Sequence, residues 1–388
     1  MSKTIIKRIV LKINSPPPFM WMTRKVFFKS FLRFDLINLV FAVLQQFRWW
    51  FISPIYFFRK RNLNNKLPLS LIFKACWLNS FTIREVSTWL SIGMKNWDQI
   101  SNNYPNNLSV HIHNQRRRNW AGNCRGAIKL LANKEKLLSI TPKKWTPPFI
   151  LINDRSIKEN PDISLKPKWW DKSLKGKGII LKPNEGSAAK RIIHFKYNLN
   201  SKMLSQEFFF TNKKEKISSC IYSAISNPID LFKLYKEQYN NNDLIIATPY
   251  LTQGCKFPKT FPSAVLRIVT FKEKKSSAIK IDSAWFEIPL GNTVAIISIK
   301  NKIVPIGLDK ISIKQKKYLR NWAFLIRSNL KDLINDYLKA SKVMHSKLPP
   351  IDSVAWDWIP TNKYPTLLEG NSNYALFIPQ VIKKSFKG

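Results

Sequence analysis

Cysteine and histidine are scarce in this chain, and their positions exclude several kinds of chemistry. Only four cysteines and four histidines occur among the 388 residues. The cysteines lie far apart and form no CxxC pair, so the sequence offers neither a disulfide framework nor a tetrahedral zinc site. No histidine lies in a motif typical of nucleophile activation. The cysteine usage favours a reducing, cytoplasmic compartment.

Acidic residues are also few, with 23 Asp and Glu against 65 Lys and Arg, which gives a formal net charge of +42. Such a charge favours association with polyanions and carries no information about the fold. Only 16 of the cations are arginine, the residue best suited to bidentate phosphate and base contacts, so we expect no specific nucleic-acid partner. A hydrophobic content of 45% excludes a disordered basic tail, because such a tail lacks the apolar residues to form a core.

The first 65 residues combine 12 Lys and Arg with one acid, Asp35, and include two apolar stretches, Leu36–Phe47 and Trp49–Phe58. Each stretch is too short to cross the roughly 30 Å hydrocarbon core of a bilayer as a helix. Crossing as one segment places Arg48 near the bilayer centre. Three interpretations stay open: a core or partner-docking helix, an in-plane anchor on anionic lipid, and a true span. No signal peptide is expected, because the start lacks a continuous apolar region.

The pattern of the remaining chain predicts an α+β fold in three parts: the basic aromatic segment 1–65, an α-rich region 66–130 and a main domain 131–388. Ser312 and Gln315 form a capping-box pattern that begins a long amphipathic helix. The proline-rich stretch from Pro142 to Pro167 is predicted to be connective. Five strands are predicted from β-branched, alternating runs: Gly178–Lys182, Leu244–Tyr250, Ala264–Phe271, Ser277–Phe286 and Thr293–Ile299.

A β-hairpin pattern lies near the end of the chain, between Ser353 and Asn371, with turn-forming residues at its centre. A turn centred on Lys363 pairs Asp357 with Glu369, since their numbers sum to twice 363. Two carboxylates in direct opposition destabilise a sheet unless positive charge lies between them. Asn371 projects from the same face as Glu369. These three oxygen donors predict a Mg²⁺ site, and a solvated hairpin with incidental acids is the alternative.

Asp357, followed by eleven residues and then Glu369-x-Asn371, resembles the metal-binding end of the ATP-grasp superfamily, and most closely its sugar-transfer associated branch. Other stretches resemble further motifs of the same superfamily and follow in the same order along the chain, over roughly residues 130 to 380. Lys182 ends a strand that resembles the one whose lysine holds the α- and β-phosphates. Lys134 resembles the second phosphate lysine. Arg267 resembles the arginine that reaches the γ-phosphate.

Two further segments resemble parts of the ATP-grasp nucleotide site. Gly186 and Ser187 lie in a stretch that is similar to the flexible loop over the phosphates. Thr248, Tyr250 and Leu251 lie where the family places the linker against the adenine. The resemblance therefore implies an ATP-grasp fold of two α+β subdomains that grip ATP and Mg²⁺.

The same resemblance implies an ATP-dependent ligase that activates a carboxylate as an acyl phosphate for attack by an amine or similar nucleophile. It assigns Lys182 and Arg267 catalytic roles and implies a part in cell-surface polysaccharide or sugar-conjugate biosynthesis. The expected partners are a small carboxylate and a nucleophile, with peripheral contact to anionic membrane on the cytoplasmic side.

Two other classes of function stay open from the residues. A basic polyanion-binding protein, for nucleic acid or acidic glycan, explains the charge without chemistry. A catalytically silent, membrane-docked ATP-grasp relative explains the apolar N-terminal segment. For Arg267, a structural ion pair with Asp282 or Glu287 is the alternative to a phosphate contact, because a guanidinium inside an apolar strand needs an anion.

Overall fold

The structure is a computed structural model of the whole chain, described here for about half of its residues. These residues are 124–153, 157–159, 168–185, 191–198, 203–208, 214–217, 228–239, 244–254, 257–258, 260, 263–273, 276–290, 293–299, 303–306, 312–361, 364–372, 374 and 378–379. The chain divides into two compact units, of which one comprises residues 118–303 and 312–374. Almost all described residues belong to this unit. The other unit comprises residues 1–117, 304–311 and 375–388.

The first sheet has seven antiparallel strands in the order β2-β1-β7-β3-β4-β5-β6. Its strands β1 to β7 span Ile150–Ile152, Ile157–Glu159, Ile179–Pro183, Ile193–Asn198, Met203–Phe208, Lys214–Ile217 and Ile245–Pro249. One face packs on helices α3 (Lys168–Lys175) and α4 (Pro228–Tyr239) through a core that includes Trp170 and Phe232. On the other face Ile246 packs with Leu138.

The second sheet contains an antiparallel run of strands in the order β10-β9-β8-β12-β13. These strands, β8 to β10, β12 and β13, span Val265–Lys272, Ile279–Leu290, Thr293–Ser298, Ser353–Ile359 and Thr366–Asn371, and a further strand, β11, spans Ile303–Ile306. Two helices precede both sheets along the chain, α1 (Arg125–Ala132) and α2 (Lys134–Ile140), and a 3-10 turn, Lys143–Trp145, follows them. The prediction of an α+β fold with two α+β parts is confirmed.

Helix α5 (Ile313–Ser346) covers the apolar face of the second sheet. It begins at the predicted capping box, in which Ser312 and Gln315 each accept a hydrogen bond from the other's backbone N–H. Trp322 stacks against Phe257 and contacts Phe286, and Tyr337 contacts Trp358 edge to face. Burial of these aromatic side chains leaves the opposite face of the sheet for polar residues.

The five predicted strands all form, within two residues at their starts, and the hairpin forms as β12 and β13. The prediction that the stretch between Pro142 and Pro167 is only connective is wrong, because this stretch contains β1 and β2. Strands of three residues give too few positions for an alternating pattern, so the prolines dominated the prediction. None of the described helices is both long and apolar enough to cross a membrane. Segment 1–65 lies outside the described residues, and the three-part division stays a prediction.

Gly370 lies where helix α1 approaches strand β13. A methyl group at this position meets the Leu131 side chain at 2.6 Å and the Trp356 ring at 2.9 Å. Both distances are shorter than van der Waals contact, and Trp356 is fully buried. We therefore expect Gly370→Ala to lower the free energy of unfolding by about 1–3 kcal/mol through overpacking. Urea denaturation measures this loss, and an unchanged midpoint contradicts the packing described.

His345 lies in a buried network between α5 and the second sheet. Its Nε2 donates to the Ile351 carbonyl at 3.2 Å, and its Nδ1 accepts from Thr270 Oγ1 at 2.8 Å. Thr270 Oγ1 in turn accepts from Trp356 Nε1 at 2.8 Å. Burial lowers the pKa of His345, Lys272 lowers it further, and the bond to Ile351 partly opposes the shift. The folded state therefore holds a neutral imidazole.

This lowered pKa predicts a stability loss in acid. Below a pH of about 6.5 the unfolded chain takes up a proton at this position before the folded chain does. His345 therefore contributes a loss of up to about 1.4 kcal/mol per pH unit as the pH falls from 6.5 towards the lower folded pKa. Unfolding free energies measured from pH 5 to 8 should show this component in the native chain and lack it in His345→Gln. Equal slopes in the two proteins contradict it.

Candidate functional site

A row of charged residues crosses the second sheet on the face opposite helix α5. Arg267 on β8 is the register partner of Asp357 on β12, and Asp357 is in turn the partner of Glu369 on β13. The predicted opposition of Asp357 and Glu369 is confirmed. A bulge follows, since Trp358 pairs with Leu367 and one residue of β13 is skipped.

Arg267 supplies the positive charge that two opposed carboxylates need. Its Nε donates to Asp357 Oδ1 at 2.5 Å and its Nη2 donates to Oδ2 at 2.6 Å. Its third nitrogen, Nη1, forms an ion pair with Glu287 Oε1 at 2.9 Å, and the same oxygen accepts from Trp285 Nε1 at 3.2 Å. The expected ion pair of Arg267 is thus with Glu287 rather than Asp282. Its pairing with Asp357 was not predicted.

Asn371 joins the two carboxylates. Its Nδ2 donates to Asp357 Oδ2 at 3.2 Å and to Glu369 Oε1 at 3.0 Å. Both carboxylates therefore converge on one small donor group, as the predicted metal site requires. The amide oxygen of Asn371 is the atom that a cation would take.

Two lysines supply positive charge near Glu369. Lys182 lies on β3 of the first sheet, and Lys134 is the first residue of α2. Burial lowers the pKa of Lys182 to about 8, and Lys134 adds to this effect while Glu369 and Asp357 oppose it. Burial also lowers the pKa of Lys134, against the charges of Glu369 and Glu185. The two sheets thus bring cations and carboxylates to one place.

The carboxylates respond to the same surroundings. Burial raises the pKa of Asp357 to about 7 despite the Arg267 ion pair, and Glu369 adds to this rise. Burial also acts against the ionised form of Glu369, but the hydrogen bond from Asn371 and the charge of Lys182 lower its pKa below the ordinary value. Burial disfavours the charge on Arg267 as well, yet Asp357 and Glu287 raise its pKa. Negative charge is therefore held most firmly on Glu369.

A junction between α2 and the end of β3 positions Lys134. Asn184 Oδ1 accepts from the backbone N–H of Glu135 at 2.9 Å, and Asn184 Nδ2 donates to Asn133 Oδ1 at 3.3 Å. The Lys134 backbone N–H and its Nζ both donate to the Asn184 carbonyl, at 3.0 and 3.5 Å. Asn133 and Asn184 are buried, and neither had been assigned a role of its own in the site from the sequence. The Asn-Lys pair at 133–134 was the available signal.

The predicted adenine linker follows β7. Thr248 pairs with Ile180, two positions from Lys182, and strand alternation places Thr248 and Lys182 on the same face. The Tyr250 ring lies 4.8 Å from the His194 ring, centroid to centroid. Ser263 Oγ donates to the Leu251 carbonyl at 2.7 Å and lies 3.1 Å from Tyr250 Oη, which can donate to it. The segment is thus fixed by its own neighbours. No sequence pattern had indicated that His194 or Ser263 would lie beside it.

The donor set suits a hard cation. Asp357 and Glu369 offer oxygen ligands of the kind that Mg²⁺ prefers, and the Asn371 amide that donates to both shows that one oxygen of each carboxylate points to the same place. Across the described ranges, no group of three or more His, Cys, Asp or Glu side chains is placed to hold a metal ion, and this set includes two carboxylates and an amide. Gly186 and Ser187, predicted to cover the phosphates, lie outside the described residues.

Comparison with known proteins gives structural matches alone. No protein-family model matches the chain, and no curated protein matches its sequence. The matching solved structures include D-alanine–D-alanine ligase from Bacillus anthracis, at 11% identity and a TM-score of 0.35 over 66% of this chain and 62% of that chain. Another is N5-carboxyaminoimidazole synthetase from Staphylococcus aureus complexed with ADP, at 13% identity and a TM-score of 0.32 over 67% and 50%.

A third match is N5-carboxyaminoimidazole synthase from Aspergillus clavatus in complex with ADP and an aminoimidazole ribonucleotide. Identity is 8% and the TM-score is 0.34, over 64% of this chain and 46% of that chain. The chain spans less than two thirds of the length of each of these three structures.

Proposed function

We propose that this chain is an ATP-dependent ligase of the ATP-grasp type, which activates a carboxylate as an acyl phosphate for attack by an amine or similar nucleophile. One observation carries the proposal. Two opposed carboxylates, Asp357 and Glu369, accept hydrogen bonds from the same amide, and both lie close enough to Lys182 to affect its pKa. Phosphoryl transfer requires carboxylates to hold a metal ion and cations to bind phosphate, because its catalysis consists of positioning and charge neutralisation.

The proposed reaction has two steps. An oxygen of the substrate carboxylate attacks the γ-phosphorus of ATP, the bond to the β–γ bridging oxygen breaks, and ADP leaves. The nucleophile then attacks the carbonyl carbon of the acyl phosphate, and inorganic phosphate departs as the new bond forms. Asp357, Glu369 and Asn371 would hold Mg²⁺, which when bound supplies charge neutralisation at the phosphates.

Cationic residues of the chain have distinct tasks in this proposal. Lys182 and Lys134 neutralise the α- and β-phosphates. Burial lowers their pKa values, and an anionic ligand offsets this effect. Arg267 stabilises the transferring γ-phosphoryl group. Tyr250 and its neighbours Thr248 and Leu251 contact the adenine, and the loop that includes Gly186 and Ser187 covers the phosphates.

The sugar-transfer associated branch, and with it a role in cell-surface polysaccharide or sugar-conjugate biosynthesis, is the narrower form of the proposal. It rests on sequence resemblance. A small carboxylate and a nucleophile are the proposed substrates. We also propose a cytoplasmic location with peripheral contact to anionic membrane, which flotation with vesicles of mixed phosphatidylserine and phosphatidylcholine can test. If the chain does not float with those vesicles, the membrane part of the proposal is wrong.

Nucleotide binding and ADP release, measured together, separate the enzyme from its rivals. Thermal shift with Mg²⁺ and ATP should raise the midpoint of the purified chain, and a screen of amino acids and sugar acids for ADP release, with product masses, identifies the substrates. A polyanion-binding protein predicts a steep salt dependence of nucleic-acid or glycan binding with no nucleotide effect. A silent relative binds the nucleotide but releases no ADP in the presence of any substrate pair.

A further inference from the structure

The carboxylate of Asp357 is already engaged by a guanidinium. Arg267 places one nitrogen on each carboxylate oxygen, at 2.5 and 2.6 Å, in the fork geometry that makes such pairs strong. Asp357 is buried, so water offers it little competing solvation. A divalent cation that uses this carboxylate must therefore meet or displace a positive charge held on both of its oxygens.

The other cations of the site also face carboxylates. Glu369 stabilises the charged forms of Lys182 and Lys134, and Glu287 pairs with Arg267. A divalent cation arriving alone meets carboxylates that already interact with positive charges, and a triphosphate arriving alone meets cations that already interact with carboxylates. Arriving together, the two ligands offer each group a replacement partner.

Arg267 uses different nitrogens for its two acidic partners. Nε and Nη2 bind Asp357, whereas Nη1 binds Glu287. The guanidinium can therefore release Asp357 while its contact with Glu287 persists. Glu287 is itself fixed by the Trp285 indole N–H, so the released guanidinium stays beside the site.

We propose that Arg267 and a divalent cation compete for Asp357, so that the cation binds well only with the nucleotide, when Arg267 passes from Asp357 to a phosphate and Glu287 retains it. This inference rests on the proposed function for the identity of the second ligand. It makes Glu287 a positioning residue for Arg267. It also makes cation and nucleotide binding mutually dependent, with each raising the affinity of the other by the same factor.

Binding of Mn²⁺ without nucleotide tests the competition. Mn²⁺ binds carboxylate ligands, and electron paramagnetic resonance measures the concentration of free Mn²⁺. Without nucleotide, Arg267→Met in the full chain should bind Mn²⁺ at least about tenfold more tightly than the native protein, since the competing charge is removed (about 1.4 kcal/mol per tenfold). Glu287→Gln is the matched control. It removes an ion pair of the same guanidinium but leaves Asp357 occupied, so no gain in Mn²⁺ affinity is expected.

A second arm adds the β,γ-imido analogue of ATP. In the native chain the analogue should raise Mn²⁺ affinity, and in Arg267→Met it should raise that affinity by a smaller factor, because only the direct attraction between Mn²⁺ and the phosphates then couples the two ligands. Arg267→Lys is a second variant for the case in which Arg267→Met does not fold. A lysine keeps the positive charge but cannot bind both carboxylate oxygens in a fork, so an intermediate gain in Mn²⁺ affinity is expected. Equal or weaker Mn²⁺ binding by folded Arg267→Met and Arg267→Lys overturns the inference.

The two proposals fail differently. If the native chain never binds the analogue with Mn²⁺, the proposed function is wrong, whereas the Mn²⁺ arms without nucleotide still report on the competition for Asp357. If the analogue binds but the variants show no gain in Mn²⁺ affinity, the proposed function stands and the competition is wrong.

Discussion

Glu369→Gln is expected to lower Mg²⁺- and ATP-dependent ADP release by about 100- to 1000-fold, the range typical for loss of one group that stabilises developing charge. The substitution keeps the shape of the side chain and an oxygen that can accept from Asn371 Nδ2. It removes the negative charge that holds the proposed Mg²⁺ and that stabilises the charged forms of Lys182 and Lys134. The folded structure should persist.

The measurement is coupled-enzyme ADP release with the best substrate pair from the screen, together with the thermal midpoint. Glu237→Gln is the matched control, because Glu237 is an exposed acid on α4 and the same charge change there should leave the rate unchanged. Turnover by Glu369→Gln above a tenth of the native rate is incompatible with the proposed metal site.

The β12–β13 hairpin shows which features of the site the local sequence can predict. Its turn residues fix the approximate centre, and the centre alone pairs Asp357 with Glu369, as the structure has it. The bulge after Asp357 has no signal of its own, since it inserts one residue without altering the apolar pattern. Similarly, the capping box at Ser312 is a local device, and it predicted the start of α5 to the residue.

Long-range partners account for most of what the sequence did not predict. Arg267 and Asp357 are 90 residues apart, and their pairing depends on β8 lying beside β12, which no local pattern specifies. Asn133 and Asn184 meet across 51 residues, and each alone reads as an ordinary turn residue. Sequence patterns therefore predicted which residue types the site uses, but the sheet order decided which of them neutralise one another.

Asp357→Asn is expected to affect both activity and stability, unlike Glu369→Gln. An amide at this position cannot accept the two charge-assisted bonds from Arg267, so the guanidinium keeps only Glu287 as a charged partner. Breaking a buried ion pair by changing one member typically costs about 3 kcal/mol. We therefore expect a loss of that size in unfolding free energy, together with loss of ADP release.

A double-mutant cycle separates the ion pair from other effects of the substitution. Arg267→Met alone leaves Asp357 and Glu287 without their shared cation, whereas the variant with both changes removes charge from each side. The combined stability loss should fall short of the sum of the single losses by about 2 kcal/mol, as contacting residues show. Losses that add within about 0.3 kcal/mol mean that the two groups do not stabilise one another. Arg267 would then offer a divalent cation no competition for Asp357, so the cycle also tests, through folding stability alone, the resting pair on which the competition depends.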